Sequence, residues 1–333
     1  MSSPSNTPSG ASPGAPSGME AMIAKGPPYP PMGAAVGGQP STSVDIPISA
    51  VFIVLFAIGA ASHMTVFQRN QKRGHKFIPS AATFGFCMAR IIANVMRIVW
   101  AKEPTNARVA IAAQVFVAAG VIVLFLLNVL FAQRMLRASH PRLGWSRITS
   151  YFFLGLYTMI IVTLAMVITA TVQSLYTLNN NTRRIDRDLQ LYGSTYFTFI
   201  SFLPIPILAY SYLAPRKPGQ QLDSFGEGSW TTKALIVATA SFCLCLGAGF
   251  RTGTTFMAPR PQTDPAWYHH KACFYVFNFA LEAFVMYMYL FMRVDKRFYV
   301  PDGSSKVRSF SGELNGVNAE KVNGVSRDSN EDV

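Results

Sequence analysis

The chain has 333 residues, half of them hydrophobic and only 14% charged, with a formal net charge of +13 and four cysteines. Its apolar residues come in long blocks parted by short arginine-rich connectors, the profile of a polytopic membrane protein rather than a water-soluble domain. The surplus cations sit mainly in those connectors, where they set orientation and meet anionic headgroups, so no nucleic-acid partner is expected.

Residues 1–44 are dominated by Ser, Pro, Gly and Ala, with Glu20 and Lys25 as the charges. Such a segment has too little apolar surface to offset chain entropy, and disorder is expected. It lacks a basic start followed by an apolar core, so it does not read as a signal peptide.

Residues 45–300 hold seven blocks long enough to cross a hydrocarbon core of about 30 Å, which takes roughly 20 helical residues. They are Ile46 to Phe67, Ile78 to Trp100, Val109 to Ala132, Thr149 to Tyr176, Leu191 to Leu213, Ala234 to Met257 and Ala272 to Met292. The expected fold is therefore all-α, a polytopic seven-transmembrane helix bundle.

The connectors alternate in charge. Arg69, Lys72, Arg73 and Lys76 follow the first block; Arg134, Arg137, Arg142 and Arg147 follow the third; Arg216, Lys217 and Lys233 follow the fifth; Arg293, Lys296 and Arg297 follow the seventh. The other set is poorer in cations, and Asp186 and Asp188 dilute it. The positive-inside rule puts the amino terminus outside and the carboxyl terminus in the cytoplasm. The sequon Asn180-Asn181-Thr182 then falls outside, which makes Asn180 a candidate glycosylation site.

Within the blocks, His63 reads as a hydrogen-bonded histidine near the cytoplasmic boundary, with a proton relay as the sharper alternative. Pro204 and Pro206 each remove a backbone donor, and a kink in the fifth helix is expected. Cys87, Cys243 and Cys245 lie inside blocks, Cys273 stands apart, and no histidine flanks Cys243-x-Cys245. Neither a disulfide, a metal site nor a cofactor is expected. Residues 301–333 are polar and read as a disordered cytoplasmic tail, in which Ser304, Ser305, Ser309 and Ser311 are candidate phosphorylation sites.

The feature that stands out is Arg90, near the middle of the second block. An arginine there costs about 3 kcal/mol on insertion scales, so it needs a partner or a watery cavity. Thr83, Cys87, Arg90, Asn94 and Arg97 are spaced four, three, four and three. At helical periodicity they fall within an arc of roughly 80°, a polar stripe that faces the bundle interior.

Tyr275, Asn278, Glu282 and Tyr289 form a similar stripe on the seventh block, where Glu282 reads as the carboxylate inside a span. Counted from the cytoplasmic ends, Arg90 and Glu282 lie at depths of about 18 and 15 Å, and an ion pair between them is expected. Asn94 and Asn278 fall at matching depth. The pair serves either to hold the helices together or to line a ligand or transport cavity.

Arg97 is close enough to Trp100 to snorkel to the outer boundary, with Gln114 as an alternative partner. Arg251, in Gly247-Ala-Gly-Phe-Arg-Thr-Gly253, belongs to the same outer polar zone. The candidate polar cluster is thus Arg90, Asn94, Arg97, Gln114, Arg251, Tyr275, Asn278 and Glu282.

His63-Met-Thr-Val-Phe-Gln-Arg-Asn70, Arg73-Gly-His-Lys-Phe77 and Phe84-Gly-Phe-Cys-Met-Ala-Arg90 carry a resemblance. From about Phe52 to Val300 the chain resembles an uncharacterised fungal family of seven-helix integral membrane proteins, sometimes labelled family-C-like G-protein-coupled receptors. The resemblance implies the fold; its receptor label rests on topology, an analogy.

Three functional classes compete. A receptor-like protein would bind a small molecule or lipid in the polar intramembrane cavity and signal to a cytoplasmic partner, in the plasma membrane. It would not be rhodopsin-like, because the third block ends in Ala132-Gln-Arg-Met without an acidic-arginine pair, nor an opsin, because the seventh block has no midspan lysine. A lipid or small-metabolite translocator suits a midplane ion pair and broken helices, although no internal repeat is visible. An enzyme is not expected: acid-initiated chemistry needs a free carboxyl group, and Arg90 consumes the one identified.

Overall fold

The computed structural model describes residues 24, 26–29, 33–215, 222–223, 225–300 and 310. Arg216, Lys217, the tail apart from residue 310, and most of the segment 1–44 lie outside the described residues.

Among the described residues seven helical segments are long and apolar enough to cross a membrane, matching the seven blocks. The first span is α1 (Asp45–Lys72) and the second α2 (Ile78–Lys102). The third divides into α3 (Ala107–Gly120) and α4 (Ile122–Ser139), followed by the short α5 (Pro141–Gly144). The fourth is α6 (Arg147–Tyr176). The fifth divides into α7 (Asn180–Phe202) and α8 (Pro204–Leu213), and the sixth is α9 (Trp230–Phe256). The seventh runs through α10 (Lys271–Tyr275), a π-helical turn at Val276–Ala280 and α11 (Leu281–Phe291), before the short α12 (Val294–Arg297).

Most boundaries differ from the hydropathy reading by a few residues, and two of the differences bear on the ends of the bundle. The fifth helix begins at Asn180 rather than Leu191, because the Asn179 side chain caps the amides of Asn181 and Thr182 and starts a polar helical extension. The first begins at Asp45 rather than Ile46; hydropathy placed that carboxylate in the preceding segment.

The expected break in the fifth helix falls at Leu203, immediately before Pro204. The break between α3 and α4 and the π-helical turn have no proline to announce them.

Helix α1 packs on α2, α2 on α3, α6 on α7, and α7 on α9. Helix α11 packs on α9 and α1, and α4 lies inside, against α2, α8 and α9. The interior is aromatic, with Phe56, Phe86, Phe125, Phe131 and Phe279 fully buried. On the outside, Ile148 and Leu213 are both 83% exposed, and Phe242 and Phe291 stand out similarly. Such a surface would be a large sticky patch in water but is at home in acyl chains, so fold and surface agree on a multi-pass membrane protein.

The two ends of the bundle differ in construction. At one end residues 33–44 cross the helix termini as a strap, with Ala34 N–H donating to the Arg260 carbonyl at 2.8 Å and Gly37 N–H to the His269 carbonyl at 3.0 Å. This part of the amino-terminal segment departs from the expectation of disorder. Its backbone finds acceptors in the loop after α9, so its few apolar side chains need not hold it in place. At Gly37, φ is +83° and a Cβ would meet the Phe274 ring at 2.7 Å, so the turn requires glycine. Asn180 is exposed at this same end.

The opposite, basic end is tied by side chains. Asp295 accepts from Asn70 at 3.0 Å and from both Arg293 Nε and Nη2 at 3.1 Å. Burial pushes the Asp295 carboxyl up, but the Arg293 and Asn70 hydrogen bonds and the Arg293 charge outweigh it and hold it below the usual carboxylate range. Arg134 donates to the Phe298 carbonyl and lies over the Phe77 ring. Phe310 is buried against Trp145 and Phe225, and its N–H donates to Asp223 at 2.7 Å. His63 Nε2 lies 3.2 Å from the Met286 carbonyl, a hydrogen bond between α1 and α11.

Candidate functional site

Arg90 and Glu282 meet as the depth count requires. Arg90 Nε donates to Glu282 Oε2 at 2.5 Å and Nη2 to Oε1 at 2.8 Å, a bidentate pair with side chains 0% and 2% exposed. Its remaining nitrogen, Nη1, reaches the carbonyls of Phe116 at 3.2 Å and Val117 at 2.8 Å. The break between α3 and α4 makes the second of these possible. Val121 N–H turns to the Ala119 carbonyl, leaving the Val117 carbonyl without its usual helical donor. Gly120 lets the guanidinium approach: a Cβ there would lie 3.1 Å from Arg90 Cζ. The rings of Phe86 and Phe279 lie 5.6 and 5.5 Å from Cζ.

Glu282 is shared. Arg251 on α9 brings Nη1 to 3.4 Å from Glu282 Oε1 and 3.3 Å from Asn278 Oδ1. These contacts are longer than those of Arg90, and the Arg251 side chain is 23% exposed. Among the described residues, its Nε and Nη2 have no protein acceptor. One carboxylate thus faces two guanidinium groups, and this centre carries an uncompensated positive charge.

Asn94 and Asn278 do not pair with each other. Each turns its amide back to the carbonyl four residues earlier, Arg90 and Phe274 respectively, at 2.9 Å. Equal depth brought them near one layer, but local carbonyls were closer partners.

Arg97 neither snorkels nor pairs with Gln114. Its side chain is buried against Asp45, with Nη2 and Nε 2.9 and 3.0 Å from Oδ1, and Nη2 also donates to the Gly37 carbonyl of the strap at 2.7 Å. Lys271 closes on the other Asp45 oxygen. Tyr275, expected beside Glu282, instead donates its hydroxyl to Asp45 Oδ1 at 3.0 Å and lies 3.0 Å from Ser49 Oγ. Asp45, the first residue of α1, is fully buried, a carboxylate that the hydropathy boundary missed by one residue. Its spacing of four residues from Ser49, which puts both on one helix face, was the available signal.

A second unforeseen network lies toward the basic end. Asn128 donates to Ser241 Oγ at 2.6 Å and accepts from the Tyr289 hydroxyl at 3.3 Å, joining the third, sixth and seventh spans. Tyr289 was on the expected stripe; Asn128, in a run of leucines, gave no periodic signal.

Between the strap and the Arg90 layer lies a cavity of two lobes, about 230 and 290 Å³. Both are lined by Val36 of the strap, Gln114, Ala118 and Arg251. The smaller lobe adds Arg97, Trp100, Phe274 and Asn278, and the larger adds Phe125, Leu164, Phe197, Ser194 and Thr252. Together they fall within the roughly 300–1,000 Å³ usual for small-molecule sites. Among the described residues Arg97 and Arg251 line them, and no carboxylate does. Thus Arg97, Gln114, Arg251 and Asn278 reach the cavity, while Arg90, Asn94 and Glu282 form the layer beneath it and Tyr275 is turned to Asp45 and Ser49 of α1.

A family model described as a protein of unknown function, DUF3112, matches residues 220–299. That stretch includes α9, the π-helical turn and α11, and hence Arg251, Asn278 and Glu282, but it assigns no activity and supports neither the fungal nor the receptor label of the resemblance. No curated protein and no solved structure matches the chain.

Proposed function

We propose that this protein is a receptor-like membrane binder that takes a small molecule or lipid component into the cavity above the Arg90–Glu282 pair. The strap end is extracellular or lumenal and the basic end cytoplasmic, the orientation favoured by the charged connectors. The plasma membrane is the location consistent with that reading, with membrane lipids around the bundle and a signalling partner at its basic end.

One observation carries the reading: a mainly apolar cavity with convergent polar groups opens beside an irregular, charged layer rather than a close-packed one. Occupancy would bear on Arg251 and Ala118, which adjoin the π-helical turn and the α3–α4 break. Breaks of this kind favour rearrangement over rigid response.

The same breaks, with the one at Leu203, favour the second reading, a lipid or small-metabolite translocator. Receptor-like binding is preferred because the aromatic layer of Phe56, Phe86 and Phe279 fills the bundle below the cavity. An enzyme fits less well. Glu282 and Asp45 are engaged by cations, and the buried Asp186 lines neither lobe of the cavity, which leaves no free acid beside it among the described residues.

The test is mass spectrometry of small molecules and lipids that co-purify with the intact protein, comparing the natural chain with Ala118→Trp. A molecule bound to the former and lost from a folded Ala118→Trp supports the reading. An identical ligand set in both, or none in either, rejects it.

A further inference from the structure

We infer that the cavity selects an amphiphilic monoanion, a free carboxylate on an apolar body, with its head on Arg251. This rests on the ligand-binding reading above and adds the chemical class. Charge balance supplies the first argument. Arg90 already satisfies both oxygens of Glu282, so the more distant Arg251 remains a surplus cation. Asp45 is likewise engaged by both Arg97 and Lys271. Among the described residues no carboxylate lines the cavity, and the one anion that reaches Arg251, Glu282, does so at 3.4 Å while bound more closely by Arg90.

Geometry supplies the second. Arg251 lies in the wall common to both lobes, partly exposed, with Nε and Nη2 lacking protein acceptors among the described residues. Two adjacent donors of one guanidinium fit the two oxygens of a carboxylate. In a half-buried site with mainly apolar surface, an unmatched cation is costly, and an incoming anion reduces that cost.

Shape supplies the third. Phe125, Leu164 and Phe197 offer an apolar bed beside the head site. A lobe of about 290 Å³ suits a single medium chain and is far too small for a diacyl phospholipid. The anion therefore comes as a free acid rather than as a lipid headgroup.

The experiment is thermal unfolding, read by tryptophan fluorescence, of the full chain in nanodiscs of neutral phosphatidylcholine, titrated with sodium decanoate, decanol or inorganic phosphate. Decanoate should raise the midpoint saturably, whereas decanol and phosphate should not. Arg251→Gln should weaken the apparent decanoate affinity roughly tenfold or more. That variant is expected to fold, because Arg90 still neutralises Glu282, and Arg251→Lys should recover part of the response.

Equal stabilisation by decanoate and decanol, both abolished by Ala118→Trp, would keep the cavity reading and overturn the anion assignment. Stabilisation on exchanging the nanodisc lipid for phosphatidylglycerol, with none from decanoate, would overturn the free-acid source. No response to any of these, or a decanoate response untouched by Arg251→Gln, would overturn the proposal.

Discussion

Arg251 Nη1 lies 3.4 Å from a Glu282 carboxylate oxygen that already accepts from Arg90. The three charges form a shared centre across the second, sixth and seventh spans, and their unequal distances give them unequal weight. Breaking a buried pair by removing one partner costs about 3–5 kcal/mol.

Glu282→Gln is expected to show that full cost, since it leaves two guanidinium groups facing each other. Arg90→Met should cost less, because Arg251 remains to hold Glu282, and Arg90→Met combined with Glu282→Met should be milder than the sum of the two. Thermal unfolding in nanodiscs measures the order. Equal losses for the two single variants would contradict the sharing.

Asp45 joins the first, second and seventh spans to the strap through Arg97, Lys271 and Tyr275. Asp45→Asn should free the strap before the bundle unfolds. Limited proteolysis should therefore cut residues 33–44 faster in the variant at temperatures where both bundles are intact. Unchanged protection would mean that the backbone bonds to Arg260 and His269 suffice.

Gly120→Ala places a methyl group 3.1 Å from the Arg90 guanidinium, which its four acceptors hold in place. A loss of about 1–3 kcal/mol is expected from this overpacking. Gly155→Ala, with nothing within 4 Å of the new Cβ, should be neutral or stabilise by about 0.5–1 kcal/mol. Denaturation of the two variants side by side makes the comparison. A stable Gly120→Ala would mean that Arg90 can shift.

Asp295 sets a pH dependence at the basic end. Its folded carboxyl lies below its ordinary value of 3.8, so its contribution is full above that value and is lost as pH falls through the lower folded value. Protonation releases Arg293 and Asn70. Asp295→Asn should therefore be less stable than the natural chain near neutrality and converge with it at the acid end. Parallel stability curves across that range would contradict the assignment.

The seven spans were legible because lipid demands long apolar helices, and Arg90 with Glu282 was legible because matching depths leave few alternatives for two buried charges. Arg251 was readable only as an outer polar residue. Its share in Glu282 depends on the π-helical turn and on helix packing, neither of which has a local pattern. Asp45 was lost because a hydropathy boundary treats a carboxylate as the end of a span, whereas here the strap, Arg97 and Lys271 bury it. The α3–α4 break was hidden as well: Gly120-Val121 reads as ordinary helix, and nothing local announces that the Val117 carbonyl is freed there for the Arg90 guanidinium.

The central claim is an open, electropositive cavity at the strap end, and thiol labelling tests it most directly. Ala118→Cys, on a Cys273→Ser background in sealed vesicles, is treated with small anionic and cationic methanethiosulfonates, using Asn181→Cys at an exposed position as the reference. The anionic reagent should react faster at Cys-substituted Ala118 than the cationic one, a preference absent at the reference and removed by Arg251→Gln. No reaction at that position while the reference labels fully, or a preference for the cationic reagent, would contradict the cavity and its charge.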